Sequence, residues 1–134
     1  MAWEEQRERR LAARRRAKAY GTHVVYYVLI REGVVKIGTT SSLVERMSNL
    51  RLQPEDVLAA EPGHHALEKQ RHAQFEALRI RKRWEDFTLT GELRAHIEAV
   101  AEEYGNPFEM QGWLMGRMRE AEKDRQLAEA EQLA

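Results

Sequence analysis

Residues 24–40 read VVYYVLIREGVVKIGTT, and this stretch decides the fold. Val24 to Ile30 is an unbroken run of β-branched, aromatic and aliphatic residues, which predicts a buried strand. Glu32-Gly33 supplies a tight turn, because glycine accepts positive φ without steric cost. Val34 to Ile37 reads as the return strand, so residues 24–37 are expected to form a β-hairpin that Gly38 ends. Tyr26 and Tyr27 are neighbours on one strand and must face opposite sides of the sheet.

Downstream, Thr39 to Ser42 is a polar connection. Ser42 with Glu45 three residues later fits a capping box, which predicts a helix from about Leu43 to Leu50. Val57 to Ala60 is a short, weak strand after Pro54. Pro62-Gly63 turns the chain into a helix from about His65 to Leu78. Phe87 to Leu89 is a short extended piece. Thr90 is a good N-cap for a helix ending near Tyr104, where Gly105 and Pro107 are stop signals. From Phe108 onward the composition is helical, with Trp113, Leu114 and Met118 able to form one apolar stripe. Upstream, residues 3–19 lack Gly and Pro and read as an exposed helix rich in Arg, Glu and Ala. The expected fold is α/β: a small central antiparallel sheet of about three strands flanked by helices. A basic helical extension (1–21) and a C-terminal helical extension (105–134) flank a central domain (22–104).

The 134 residues suffice for one domain, and 43% hydrophobic content permits a real core. No apolar run approaches the roughly 20 residues that span a bilayer. The absence of cysteine excludes a disulfide framework, a Cys-based zinc finger and a thiol nucleophile. The arginine-rich N-terminus lacks the apolar segment of a secretory signal, so a soluble, cytoplasmic protein without membrane contact is expected. Lys and Arg (22) balance Asp and Glu (22), yet the charges are unevenly placed. Arg10, Arg14, Arg15, Arg16 and Lys18 form one basic patch, Arg81, Lys82 and Arg83 another, and the C-terminal end is acidic. Zero net charge by itself argues against a strong nucleic-acid binder, but both patches suit phosphate neutralisation, and DNA is the expected partner on the resemblance that residues 23–100 carry. The C-terminal helix is a candidate surface for a homo-oligomer or a partner protein.

The hairpin resembles the GIY-YIG nuclease superfamily, and is most similar to the phage and bacterial subgroup with KIG in place of YIG. Val24-Val25-Tyr26 stands at the GIY position and Lys36-Ile37-Gly38 at the YIG position. Arg46, eight residues beyond Gly38, falls where that family carries a helix-borne arginine. Leu67-Glu68-Lys69-Gln70-Arg71-His72 resembles the family's helix with a metal-binding glutamate and a following histidine. Trp84-Glu85-Asp86-Phe87 looks like a variant of the aromatic segment that closes many such domains. The likeness spans roughly residues 23–100. It departs from the pattern at Val24, at Lys36 and in the altered aromatic segment.

The resemblance implies a metal-dependent endonuclease with Mg²⁺ or Mn²⁺ as cofactor, and the residue types suit that chemistry. Phosphodiester hydrolysis needs an activated water and charge stabilisation on the phosphoryl oxygens. Tyr26 can orient or activate water, although a phenol with an ordinary pKa near 10 needs cationic neighbours to act as a base. Arg46 offers a fork of donors to a phosphate oxygen. Glu68 is a hard oxygen ligand for the divalent ion. His72, one helical turn on, shares its face and can position water or carry a proton. Lys36 supplies positive charge where the second tyrosine is usual. Two other classes stay open: a catalytically inactive nucleic-acid-binding module with this fold, and a structural or assembly protein using its helical extensions. His64, His65, Glu68 and His72 also invite a zinc reading: the spacing of His65, Glu68 and His72 puts those three on one helix face, with no fourth ligand in evidence.

Overall fold

The structure is a computed structural model that describes residues 2–17, 21–81 and 84–133. It is α/β, with a four-stranded antiparallel sheet flanked by helices. The strands are β1 (Val24–Arg31), β2 (Val34–Thr40), β3 (Val57–Pro62) and β4 (Asp86–Thr88), in the order β3-β1-β2-β4. The helices are α1 (Ala2–Ala17), α2 (Leu43–Leu50), α3 (His65–Gln74), α4 (Gly91–Tyr104) and α5 (Pro107–Leu133).

The sheet has one strand more than the three expected. Asp86–Thr88 pairs with β2 through Val34↔Thr88, Val35↔Phe87 and Lys36↔Asp86. Three residues carry too little alternation to declare a strand; the unpaired outer edge of β2 recruits them. The second difference is Gly38, which does not end β2. The strand runs on to Thr40, with Gly38 opposite Tyr26 and Val24 opposite Thr40. The turn is as expected: Arg31 pairs with Val34, and Gly33 sits at φ 72°.

β1 is an inner strand, and Val24 through Val28 are buried without interruption. Odd positions Val25 and Tyr27 join Val35, Ile37, Phe87 and the α4 residues Leu93, Ile97 and Val100. Even positions Val24, Tyr26 and Val28 join Leu43 and Met47 of α2, Ala60 of β3 and Met110 of α5. Each fully buried large side chain contributes about 1.5–3 kcal/mol. α5 is thus part of the core at its start, where Met110 and Leu114 are buried.

Two buried polar devices fix the helices. Gln111 of α5 accepts from the Leu43 backbone N–H at 2.7 Å and donates to the Thr22 carbonyl at 2.9 Å. One side chain therefore ties the start of α2 to the entry of β1. α2 is also capped by Ser42, whose hydroxyl accepts from the Glu45 N–H, and ends on Arg51 at φ 59°. The other device is centred on Glu61, which is almost fully buried. Arg71 of α3 donates to it twice, Nη2 to Oε1 at 2.8 Å and Nε to Oε2 at 3.0 Å. Tyr27 donates its phenolic proton to Oε2 in a short hydrogen bond. His96 Nε2 of α4 lies 2.9 Å from the Tyr27 oxygen and 3.5 Å from Glu61 Oε2. Since the Tyr27 proton is committed to Glu61, that Nε2 is the donor.

Burial opposes the charge on Glu61, but the hydrogen bonds from His96, Arg71 and Tyr27, with the Arg71 charge, outweigh it and hold the carboxyl down at about 2. Burial, then the neighbouring carboxylate, pushes Tyr27 up, so it stays a donor. Between the ordinary value of 4.5 and about 2 the folded chain binds fewer protons at Glu61 than the unfolded chain does. The stability that Glu61 confers is complete above pH 4.5 and is lost as pH falls toward 2, on the order of 3 kcal/mol in all. Urea denaturation across this interval should show that loss in the native protein. Glu61→Gln should flatten it and cost about 3 kcal/mol at neutral pH, because Arg71 is left half-buried without its counter-charge. An unchanged acid profile in Glu61→Gln would refute this account.

Candidate functional site

Strand alternation places Tyr26, Lys36 and Gly38 on one face of the sheet, because Tyr26 is paired with Gly38 and the side chains two residues apart share a face. The phenol of Tyr26 leans over Gly38. A Cβ built on Gly38 would lie 2.4 Å from the Tyr26 hydroxyl and 2.5 Å from its Cζ. This glycine is required by a neighbouring ring rather than by its own backbone angle. It explains why the strand continues through Gly38: the missing side chain is the space the tyrosine fills.

Three other elements bring charge to Tyr26. Burial raises its pKa to about 12; the Arg46 charge from α2 lowers it, and Glu85 and Glu68 raise it further. At neutral pH the phenol is therefore protonated, and burial outweighs the cation beside it. Glu68 is half-buried on α3, and its pKa is raised, first by burial and next by Glu85, while His72, His65 and Lys36 work the other way. Lys36 Nζ is 2.5 Å from Glu85 Oε2. Tyr26, Lys36, Arg46, Glu68 and His72, spread over β1, β2, α2 and α3, thus belong to one electrostatic cluster with Glu85.

α3 reaches this cluster by two contacts. Gly63 lets it start close against the sheet, since a Cβ there would meet Leu67 Cδ2 at 2.3 Å. Further along, His72 Nε2 lies 2.9 Å from the Ile37 carbonyl, where the β4 pairing has ended. A carbonyl only accepts, so Nε2 carries the proton; in the neutral ring Nδ1 is then left as an acceptor. The ring packs against Phe87 at 5.4 Å between centroids.

Glu85 was not among the residues singled out from sequence, where it read as an insertion in the aromatic segment. Its place immediately before β4, whose first residue pairs with Lys36, is the signal that finds it. The Tyr27–Glu61–Arg71–His96 group was also missed. The His residues of the zinc reading are not gathered: His64 stacks on His23 at 3.9 Å and caps α3 by accepting from the His65 N–H, while His72 faces Ile37. Among the described residues no three His, Asp or Glu side chains are placed to hold a metal by themselves.

Of the expected nucleic-acid contacts, Arg81 is exposed and bonded to Asp86, Nη2 to Oδ2 at 2.7 Å. Arg10, Arg14, Arg15 and Arg16 fall on α1, but their side chains lie outside the described residues, as do Lys18, Lys82 and Arg83 altogether. No helix of the described residues is long and apolar enough to cross a membrane. Comparison with models of protein families, with curated proteins and with solved structures gave no match.

The Tyr26–Gly38 contact makes a specific prediction. Gly38→Ala should cost about 1–3 kcal/mol by overpacking, read from denaturant midpoints. In a Tyr26→Leu background the ring is gone and the same substitution should cost much less. Equal costs in the two backgrounds would mean that the ring is not what requires the glycine.

Proposed function

We propose that the chain is a metal-dependent endonuclease of the GIY-YIG type, hydrolysing DNA phosphodiester bonds. The observation that carries the reading is that Tyr26, packed over Gly38 on the face it shares with Lys36, lies where Arg46, Glu85 and Glu68 can act on it. The tyrosine, the arginine and one of those glutamates stand at the positions where the resemblance asks for them.

Glu68 and Glu85 suit a divalent cation. Burial first, and the Glu85 charge next, disfavour the charged form of Glu68, and a bound cation would favour it. Mg²⁺ takes one or two carboxylates and fills its remaining positions with water and phosphate, and Glu68 and Glu85 are the residues that would hold it. When bound, it supplies Lewis-acid charge at a phosphoryl oxygen. The rest falls to the chain. Arg46 donates to a non-bridging phosphate oxygen. Tyr26, protonated, holds a hydrogen bond to water or phosphate rather than removing a proton. His72, with Nδ1 as its acceptor, takes the proton of the attacking water. Lys36 adds positive charge beside Glu85. The basic residues of α1 and of 81–83 would neutralise the DNA backbone.

The enclosed, protonated Tyr26 also favours a second reading, a module that binds nucleic acid without cutting it. One assay separates the two. Purified protein is incubated with supercoiled plasmid and with single-stranded DNA, in Mg²⁺, in Mn²⁺ and in EDTA. Cleavage should need the metal and should fall about 100-fold or more in Glu68→Ala and in Arg46→Ala, with folding checked by circular dichroism. Absent cleavage, or cleavage that survives Glu68→Ala, overturns the catalytic reading. Salt-dependent binding without turnover, indifferent to Glu68→Ala, would establish the second.

A further inference from the structure

Trp84 is a large aromatic residue that the fold does not bury: it is 56% exposed. Yet it is held. The Arg81 guanidinium lies over its ring, 4.0 Å from the centroid. Arg81 is fixed in turn by Asp86, which accepts from both Nη2 at 2.7 Å and Nε at 3.2 Å and is itself buried in β4. The Trp84 backbone N–H closes the turn onto the Arg81 carbonyl at 3.0 Å. The indole is oriented by a cation and left open to solvent.

Its location gives the orientation a purpose. The next residue, Glu85, is the partner of Lys36 in the cluster around Tyr26. Cations and carboxylates alternate around it. Arg81 is half exposed, and the charge of Arg31 also reaches Asp86. In sequence, Arg79, Arg81, Lys82 and Arg83 directly precede the tryptophan. An exposed aromatic plane among cations is the arrangement that takes a nucleobase on its π-face and the flanking phosphates on the cations. An apolar peptide would gain little from so many charges.

We propose that Trp84 is a stacking platform for an unpaired nucleobase next to the scissile phosphate. The inference rests on the nucleic-acid reading above and narrows it. A base inside a duplex has both faces covered by its neighbours, so an unpaired base in a single strand, flap or gap is the one that can lie on Trp84. The substrate class is therefore DNA with single-stranded character beside the cut.

The test measures binding apart from cleavage. In EDTA, anisotropy titrations compare a labelled single strand, the same sequence as blunt duplex, a flapped duplex and a single strand with abasic sites. Trp84→Ala should weaken binding to the single strand and the flap roughly tenfold, as loss of one base stack does, and leave blunt duplex within about twofold. Trp84→Phe should recover most of the loss, since phenylalanine keeps a π-face. The abasic strand should not distinguish Trp84→Ala from the native protein. Equal losses on duplex and single strand, or no loss on either, overturn the platform, and equal losses point to a general contact. If the native protein cuts DNA in Mg²⁺ but Trp84→Ala binds single strands normally, the platform falls and the nuclease stands. If the native protein binds single strands through Trp84 in a base-dependent way but cuts nothing, the nuclease falls and the platform stands. Failure to bind any nucleic acid overturns both, and concentration-dependent self-association lost in Trp84→Ala would assign the indole to a protein contact instead.

Discussion

Everything in this fold depends on β1 being an inner strand covered on both faces. Its hydrogen bonds are taken by β2 on one side and β3 on the other, and helices close both surfaces. Two consecutive tyrosines on such a strand have to be buried on opposite faces, each with a polar atom that must be satisfied or used. The molecule resolves the two differently. Tyr27 becomes a structural donor, locked to Glu61 and His96. Tyr26 is set against Gly38 amid the charges of Arg46, Glu68 and Glu85. The first arrangement consumes the hydroxyl in holding the fold. The second puts a hydroxyl among groups that can do chemistry.

α3 serves both arrangements. Arg71 fastens it to the Glu61 group, while Glu68 and His72, one turn apart, belong to the cluster around Tyr26. Burying the Arg71–Glu61 pair is costly, and an apolar pair could hold the helix as firmly. What a bidentate ion pair adds is a fixed rotation of the helix about its axis, since its geometry tolerates little turning. That rotation sets where Glu68 and His72 point. Gln111 does the equivalent for α2, and hence for Arg46, by bonding the first backbone N–H of that helix.

Local signals account for most of what the sequence disclosed. An unbroken β-branched and aromatic run, the turn glycine and the Ser42 cap placed β1, β2 and α2, because each depends on residues only a few positions apart. β4 was read as an extended piece without a partner, since only its pairing with β2 makes it a strand. Gly38 was read as a terminator, because the ring above it is 12 residues away in sequence and invisible to any local rule. The Glu61 group lay beyond reach for the same reason. Tyr27 is separated from Glu61 by 34 positions and from His96 by 69, and neither residue carries a spacing that links it to the others. Tyr26, Lys36, Arg46, Glu68 and His72 were legible only because a known pattern joins them across such gaps; composition and periodicity alone do not.

Two departures from that pattern turn out to be neighbours. Lys36 stands where a tyrosine is usual, and Glu85 interrupts the aromatic segment; the two side chains meet at 2.5 Å. A tyrosine at position 36 would leave Glu85 without its ion pair and remove one of the charges that oppose the rise at Glu68. The charge of the lysine counters the effect of Glu85 on Glu68. Under the proposed reading, Lys36 thus preserves two carboxylates in one cluster until a divalent ion arrives.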